Sequence, residues 1–199
     1  MLKSNQKVLK RILDIWLALL GIFLSLPFLL LLILLSSLST RSSGWFSQKR
    51  IGKDAVSFKL YKLKTMRTHK EVDSFVTKAN DPRITKFGRF LRKTKLDELP
   101  QLWNVLIGNM SFVGPRPDVP GYADQLQGED RIILSVRPGI TGPASLAFKD
   151  EEDLLARQND PQRYNDEVIW PKKVAINKDY IKNYSLITDI RIIWKTIFG

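Results

Sequence analysis

The chain has 199 residues and a formal net charge of +12, from 32 lysines and arginines against 20 acidic residues. A balance this basic indicates a polyanionic partner, such as nucleic acid, anionic lipid headgroups or phosphorylated small molecules. The chain has no cysteine and a single histidine, His69, which excludes disulfides, cysteine nucleophiles and multi-histidine zinc sites. Any hydrolytic or transfer chemistry in this chain would therefore use carboxylates, hydroxyls and cations, with or without a hard metal ion such as Mg²⁺.

The N-terminal part predicts a membrane helix. Residues 15–40 contain no charged side chain, and the stretch from Ile15 to Leu35 is long enough to span a bilayer. Pro27 removes a backbone donor in the middle, so we expect a break there, with Ser25 available to a freed carbonyl. Basic residues flank both ends: Lys3, Lys7, Lys10, Arg11, Arg41, Lys49, Arg50 and Lys53. Positive charge marks the cytoplasmic side, which favours a re-entrant helix; a kinked transmembrane helix is the alternative.

The middle of the chain mixes strand and helix signals. Apolar and cationic residues alternate in residues 45–67 around a turn at GKDA, which predicts a small β-hairpin. Residues 68–80 are polar and are expected to form a loop or a short helix. Residues 81–108 are expected to be mainly helical, with a second helix beginning near Asp97 or Glu98 and Pro100 in its first turn. The stripe expected to be buried on this second helix is Leu99, Leu102, Trp103 and Leu106.

Two proline-rich stretches, SFVGPRPDVP at 111–120 and RPGITGP at 137–143, predict stiff irregular loops that carry Arg116 and Arg137. Residues 150–167 are acidic and are expected to be partly helical. Residues 168–199 mix aromatic and aliphatic residues with lysine and arginine, which suits amphipathic helices at a membrane interface, with core-packing helices as an equal alternative. The predicted fold is α+β and mainly helical, with a membrane-inserted helix in residues 1–40 and a catalytic domain in residues 41–199, integrated into one unit.

Asp97 and Glu98 are adjacent carboxylates in a basic field: Arg83, Lys86, Arg89, Arg92, Lys93 and Lys95. Acids that merely stabilise a helix N-terminus are the plain interpretation of this pair. Carboxylates among arginines are also what phosphoryl transfer requires, because cations bind phosphate oxygens and one carboxylate can hold Mg²⁺ while another attacks phosphorus. We expect the nearby cations to keep Asp97 ionised and nucleophilic.

The string LRKTKLDELPQLWNVLIGNMSFVGPRP, with QKRIG before it and RPGITG after it, closely resembles the bacterial sugar transferase family. Its relevant members are small, monotopic polyprenyl-phosphate phosphoglycosyl transferases, and the resemblance runs from the N-terminal KRILD through nearly the whole chain. The short length is that expected of the minimal catalytic form, without the extra membrane domain of larger relatives.

The resemblance implies a two-step reaction on the cytoplasmic face of the bacterial inner membrane, with a UDP-sugar, polyprenyl phosphate and the lipid bilayer as partners. Asp97 would attack the β-phosphate and hold a phosphosugar while UMP leaves, and undecaprenyl phosphate would then take the phosphosugar. Glu98, together with Asp97, would bind Mg²⁺. The substrate- and phosphate-binding residues expected in this scheme are Lys62, Lys64, Arg92, Arg116 and Arg137.

Three departures from the family pattern matter. Lys64 stands where relatives usually have arginine, so bidentate phosphate contact would be lost. The helix break, a Ser-Pro pair in the family, reads Ser25-Leu26-Pro27, which leaves a role for Ser25 in question. After RPGITG the family's W-A-Q-V is replaced by residues 143–146, PASL, so a glutamine contact is not carried over and this region becomes a candidate for sugar choice.

Two other classes of protein fit part of the sequence. A nucleic-acid-binding membrane protein fits the charge, yet the chain carries no recognised nucleic-acid motif, so no nucleic-acid partner is expected. A non-catalytic membrane scaffold fits the apolar segment but leaves the arginine loops unexplained. The sequence leaves the sugar open, and exposed apolar helices would serve either a homodimer or contact with lipid.

Overall fold

The computed structural model describes residues 2–67 and 81–199, so the loop or helix predicted at 68–80 lies outside the described residues. The chain is mainly helical, with two small two-stranded sheets, which confirms the coarse fold class. The helices and strands, in chain order, are α1 Ser4–Thr40, β1 Trp45–Ile51, β2 Ser57–Leu63, α2 Lys86–Lys93, α3 Gln101–Leu106, β3 Ser111–Val113, β4 Gly139–Thr141, α4 Pro143–Ala147, α5 Glu151–Ala156, α6 Pro161–Tyr164, α7 Trp170–Lys182 and α8 Leu186–Phe198.

Helix α1 is a single apolar helix of 37 residues with Pro27 inside it. It alone, within residues 2–67 and 81–199, is long and apolar enough to cross a membrane, and its most apolar 18-residue window has a mean hydropathy of 2.9. Large apolar side chains project from it into the surroundings, among them Phe23 at 79% and Leu24 at 68% exposure. The helix runs through Pro27 without a change of secondary structure, so the break that we expected at Ser25 and Pro27 is not seen, and the re-entrant path stays a prediction.

The two ends of α1 contact the same globular part of the chain. Near its N-terminus, the carboxylate of Asp14 accepts hydrogen bonds from Ser111 Oγ and Phe112 N, both at 3.0 Å. Near its C-terminus, Ser36 Oγ donates to the carbonyl oxygen of Lys64, and Leu32 is buried in a cluster with Leu63 of β2 and Leu91 of α2. Helix α1 therefore lies along the domain rather than leaving it.

Strands β1 and β2 form the predicted hairpin. They pair antiparallel in the register Trp45 to Leu63, and the turn between them contains Lys53–Ala55 as a 3₁₀ turn. The second sheet was not predicted: β3 and β4 pair in parallel, with Ser111 opposite Gly139. These strands come from the two stretches expected to be irregular loops, and their pairing fixes the loop that carries Arg116.

The helical stretch after Asp81 begins and ends close to the predicted places, with one difference at the acidic pair. Asp97 and Glu98 lie in a 3₁₀ turn, Leu96–Glu98, and α3 begins only after Pro100. The pair therefore precedes the helix rather than forming its first turn. Trp103, expected to be buried, is wrong as a core residue because it is 49% exposed.

The C-terminal helices combine the two alternatives left open by the sequence. Tyr180 and Ile181 of α7 are buried in the main apolar core, with Ile192 of α8. The other face of α8 exposes a row of large apolar residues: Ile187, Ile190, Trp194, Ile197 and Phe198. Helix α7 is thus a core helix, whereas α8 has one core face and one apolar face that residues 2–67 and 81–199 leave exposed.

Candidate active site

The acidic turn is anchored by apolar residues on both sides of the carboxylates. Leu96 and Leu99 pack against Leu32 of α1 and Leu63 of β2. Lys95, just before the turn, has left-handed backbone angles with φ of 56°, which reverses the chain after α2. Asp97 and Glu98 are thereby held on a short turn beside the C-terminal half of α1.

Glu98 is the centre of an ion-pair cluster. Its Oε1 lies 2.8 Å from Nζ of Lys62 on β2 and 3.2 Å from Nη2 of Arg116. The Glu98 side chain is only 12% exposed. Burial would raise its pKa, but the charges of Arg116 and Lys62 outweigh burial and lower the pKa of Glu98 to about 2. Glu98 is therefore a fixed anion at physiological pH.

Asp97 behaves differently from its neighbour. It is 7% exposed, and this burial raises its pKa, against the effect of Lys62 and with added repulsion from Glu98. We expected the surrounding cations to keep Asp97 ionised. Burial is the larger effect, so the cations only limit the rise of the pKa of Asp97.

Arg92, in the last turn of α2, reaches the segment that follows β2. Its Nε donates to Thr65 Oγ1 at 3.0 Å, and its Nη2 lies 3.3 Å from Met66 Sδ. Its charge is felt at Asp97. The main chain of Lys64, in the same segment, bonds to Gly44 and Ser36.

The structure brings together most, not all, of the residues selected from the sequence. Asp97, Glu98, Lys62, Arg92 and Arg116 form one site. Arg137 instead donates from Nε to the carbonyl oxygen of Gly108 at 2.7 Å. Gly108 lies just beyond the C-terminus of α3, where a cation interacts favourably with the unpaired carbonyl groups of the helix. The predicted contact of Arg137 with phosphate therefore gains no support from this geometry.

Ser25 and Pro27 lie on α1, away from the contacts that hold the acidic turn. Pro27 is exposed, whereas Ser25 is partly buried. Ser25 Oγ is buried and lacks a hydrogen-bond partner within the described chain. The suggested bond from Ser25 to a freed carbonyl is therefore not formed in this structure.

Sequence reasoning missed three charged residues next to Arg116. The charge of Asp118 attracts Arg116, and the charge of Arg50 repels it. Lys173 of α7 attracts Asp118. Arg50 and Asp118 stand in the quoted strings QKRIG and SFVGPRPDVP, so their neighbourhood could have drawn attention to them. Nothing in the local sequence signals Lys173, because a helix near the C-terminus brings it there.

The carboxylates of the site suit a Mg²⁺ ion that the protein and the substrate bind together. Residues 2–67 and 81–199 contain no cluster of three or more metal-binding side chains. Mg²⁺ is commonly held by one or two carboxylates together with substrate phosphates and water. Asp97 and Glu98 supply such a carboxylate pair, and the two cations on Glu98 share its Oε1.

Comparisons with known proteins agree with this chemistry. The family model for bacterial sugar transferase matches residues 5–199. A putative undecaprenyl-phosphate N-acetylgalactosaminyl 1-phosphate transferase of Bacillus subtilis is 43% identical over 61% of this chain and 68% of its own length. The exopolysaccharide production protein PSS of Rhizobium leguminosarum bv. phaseoli is 37% identical over 96% of this chain and 94% of its own length.

A third relative is longer. The UDP-glucose:undecaprenyl-phosphate glucose-1-phosphate transferase of Escherichia coli is 38% identical over 99% of this chain, which covers 41% of that protein. The match thus lies within one part of that relative and contains the whole site described above. The extent of the family match leaves one conclusion: the chain is a member of the bacterial sugar transferase family.

Proposed function

We propose that the protein transfers a sugar-1-phosphate from a UDP-sugar to undecaprenyl phosphate, forming a polyprenyl-diphospho-sugar and releasing UMP. The observation that carries this proposal is the buried Asp97 next to Glu98, with Lys62 and Arg116 on the glutamate. Two relatives, named as undecaprenyl-phosphate N-acetylgalactosaminyl 1-phosphate transferase and UDP-glucose:undecaprenyl-phosphate glucose-1-phosphate transferase, support the same reaction.

In the first step, a carboxylate oxygen of Asp97 attacks the β-phosphorus of the donor. The bond from that phosphorus to the bridging oxygen breaks, and UMP leaves with the electron pair. The phosphosugar stays on Asp97 as an acyl phosphate. A partly desolvated carboxylate has a smaller hydration shell to lose on attack, and the charges of Lys62, Arg92 and Lys95 favour its ionised form.

In the second step, an oxygen of the lipid phosphate attacks the same phosphorus. The bond to Asp97 breaks, which restores the carboxylate and forms the diphosphate of the product. Arg92 and Arg116 neutralise the charge on the phosphate oxygens in both steps, since a guanidinium binds phosphate through two parallel donors. Two successive displacements at one phosphorus predict ping-pong kinetics.

Glu98, with Asp97 beside it, is the residue that would hold Mg²⁺. When bound, Mg²⁺ would neutralise part of the negative charge of the diphosphate. Lys62 fixes Glu98 from the opposite element, β2, and keeps it ionised for this purpose. Glu98→Gln should therefore reduce activity and shift the Mg²⁺ concentration needed for half-maximal rate; an unchanged titration would remove the metal role.

We also propose that the protein is monotopic, on the cytoplasmic face of the bacterial inner membrane. Asp14 and Ser36, near the two ends of α1, both bond to the domain, which is difficult to combine with a simple span that places the ends on opposite sides. The exposed apolar row on α8 offers a second surface for the bilayer. Reporter fusions at the two ends of α1 test this: opposite sides would remove the re-entrant path.

The experiment that tests the proposed function measures UMP release by detergent-solubilised protein, with Mg²⁺ and undecaprenyl phosphate, across a panel of UDP-sugars. We expect release with at least one donor and dependence on the lipid phosphate. Folded protein that releases no UMP from any donor would contradict the proposal. The panel should include UDP-glucose, UDP-galactose and UDP-N-acetylated hexoses.

A further inference from the structure

Asp118 belongs to the stiff loop that also presents Arg116 to Glu98. Prolines at 115, 117 and 120 restrict this loop. The carbonyl oxygen of Asp118 accepts a hydrogen bond from Ile51 N at 2.9 Å, which ties the loop to the end of β1. The position of Asp118 relative to Arg116 is therefore fixed by backbone structure and does not depend on its side chain.

The Asp118 carboxyl group is surrounded by charges from several elements. Lys173 of α7, Arg50 of β1 and Arg116 of its own loop act on it, together with the like charge of Glu151 of α5. Lys173 is paired with Glu151 at 2.6 Å. Burial nevertheless raises the pKa of Asp118 to about 6, against the pull of the three cations.

Two polar groups in this cluster are left without partners. Within residues 2–67 and 81–199, the Asp118 carboxylate takes part in no hydrogen bond or ion pair. The Nε of neighbouring Arg50 is buried and also lacks a hydrogen-bond partner in the described part of the chain. Asp118 is half-buried, whereas the Arg50 Nε is fully buried; a buried donor without a partner is uncommon in folded proteins and calls for an explanation, such as a bound ligand.

We propose that Asp118 positions the UDP-sugar by accepting hydrogen bonds from hydroxyl groups of the donor, next to the phosphate bound by Arg116. This inference rests on the proposed function. A carboxylate repels phosphate but accepts readily from a pair of neighbouring hydroxyls, because its two oxygens are acceptors only. Asp118 would thus mark the point at which the phosphate part of the site ends and a polyol part begins.

The spacing of the two residues fits this division. Two residues of extended chain cover about 7 Å, comparable to the separation between a phosphorus atom and the hydroxyls of the attached ring. Those hydroxyls belong either to the hexose or to the ribose of the donor. The chemistry is the same in both cases, and the experiment distinguishes them.

The test compares wild type with Asp118→Asn, which keeps the shape of the side chain but weakens its acceptor character. Steady-state KM and kcat are measured for each donor that the wild type accepts, with UMP as an inhibitor. We expect KM to rise about tenfold to a hundredfold, the effect of losing a hydrogen bond to a charged group, with a smaller change in kcat. If the hydroxyls are on the ribose, inhibition by UMP weakens in parallel. If they are on the hexose, inhibition by UMP is unchanged and the differences in KM among the donors become smaller.

Asp153→Asn is the matched control, because Asp153 is an exposed aspartate on α5 near the same region, and it should leave KM unchanged. The inference would be overturned if Asp118→Asn leaves the donor KM and the inhibition by UMP unchanged, or if it lowers thermal stability without changing KM. Turnover by the wild type would still support the proposed function in that case. A wild type that turns over no donor would remove both. If Asp118→Asn does not fold, Asp118→Glu, which retains the carboxylate, replaces it, and a KM equal to that of the wild type for every donor would count against positioning.

Discussion

Lys62 Nζ lies 2.8 Å from Glu98 Oε1, and the two side chains are 20% and 12% exposed. This contact joins β2 of the N-terminal hairpin to the acidic turn before α3. Arg116 approaches the same oxygen from a loop that β3 and β4 hold in place. Three separate parts of the chain thus fix one carboxylate, and the neighbouring Asp97 takes its position from that arrangement.

Lys62→Met removes one of the two cations on Glu98 and leaves the glutamate buried with Arg116 alone. We expect kcat/KM for the donor to fall about a hundredfold or more, the usual effect of losing one preorganised charge-stabilising group. The control is Lys59→Met on the same strand, where the lysine is exposed. Equal activity of the two variants would show that the ion pair does not support catalysis.

Glu98 also makes stability depend on pH. Its pKa falls from 4.5 to about 2 on folding, so its stabilising effect is present above pH 4.5 and is lost as the pH drops towards 2. The loss is on the order of 3 kcal/mol at 1.36 kcal/mol per pKa unit. Urea unfolding in metal-free buffer should show this acid limb in wild type and a flatter one in Glu98→Gln. The raised pKa of Asp97 acts with the opposite sign, so the difference between the two proteins is the quantity to compare.

The raised pKa of Asp118 predicts a pH effect on substrate binding, in addition to a contribution to stability of the same sign as that of Asp97. Its carboxylate is the form that accepts hydroxyl hydrogens, and its pKa is raised to about 6. The donor KM should therefore increase as the pH falls below 6 and level off above it, in the presence of Lys173, Arg50, Arg116 and Glu151 around it. This inflection should be absent from Asp118→Asn; an identical inflection in both proteins would assign it to another group.

Gly88 allows α2 to pack closely on the segment after β2. A Cβ atom there would lie 2.1 Å from the carbonyl oxygen of Thr65, which belongs to backbone and cannot turn away. Gly88→Ala should therefore displace α2, weaken the bond from Arg92 to Thr65 and cost about 1–3 kcal/mol, as overpacking does. Gly21→Ala is the control, since its Cβ would meet only the flexible side chain of Leu102 at 3.1 Å. Similar thermal stability of the two variants would contradict this explanation.

Asp189 links the two ends of the chain. It is 2% exposed, and it accepts from Lys10 Nζ at 2.5 Å, Tyr180 OH at 2.6 Å and Tyr184 OH at 3.1 Å. Asp189→Asn leaves the ammonium of Lys10 without its counterion and should destabilise the fold by about 3–5 kcal/mol. The double variant Lys10→Met with Asp189→Leu should recover part of that loss in thermal unfolding. A double variant less stable than Asp189→Asn would show that the ion pair itself is favourable.

The sequence predicted the features that depend on neighbours along the chain. The apolar length of α1 and the alternation on either side of GKDA indicated the helix and the hairpin, because hydrophobic spacing reports local structure directly. The parallel pairing of β3 with β4 was missed, since its strands are only three residues each and separated by a long stretch. Short parallel strands leave almost no local signal.

The residues of the candidate site likewise divide into those with a local signal in the sequence and those without one. Asp97 and Glu98 stood out through their adjacency within a basic segment, and Arg116 through its two prolines. Arg50 and Asp118 stand within the quoted motif strings, but their meeting with each other and with Lys173 follows only from the fold. Burial, which the sequence does not display, raises the pKa of Asp97 against the charges that the sequence does display.

The most direct test of the central claim is the mass of the protein after incubation with an accepted UDP-sugar and Mg²⁺ but without lipid phosphate. Wild type should gain the mass of one phosphosugar, located on Asp97 by peptide mapping, and lose it when undecaprenyl phosphate is added. Asp97→Asn should fold, gain no mass and release no UMP. An adduct on another residue, or substantial turnover by Asp97→Asn, would contradict Asp97 as the nucleophile.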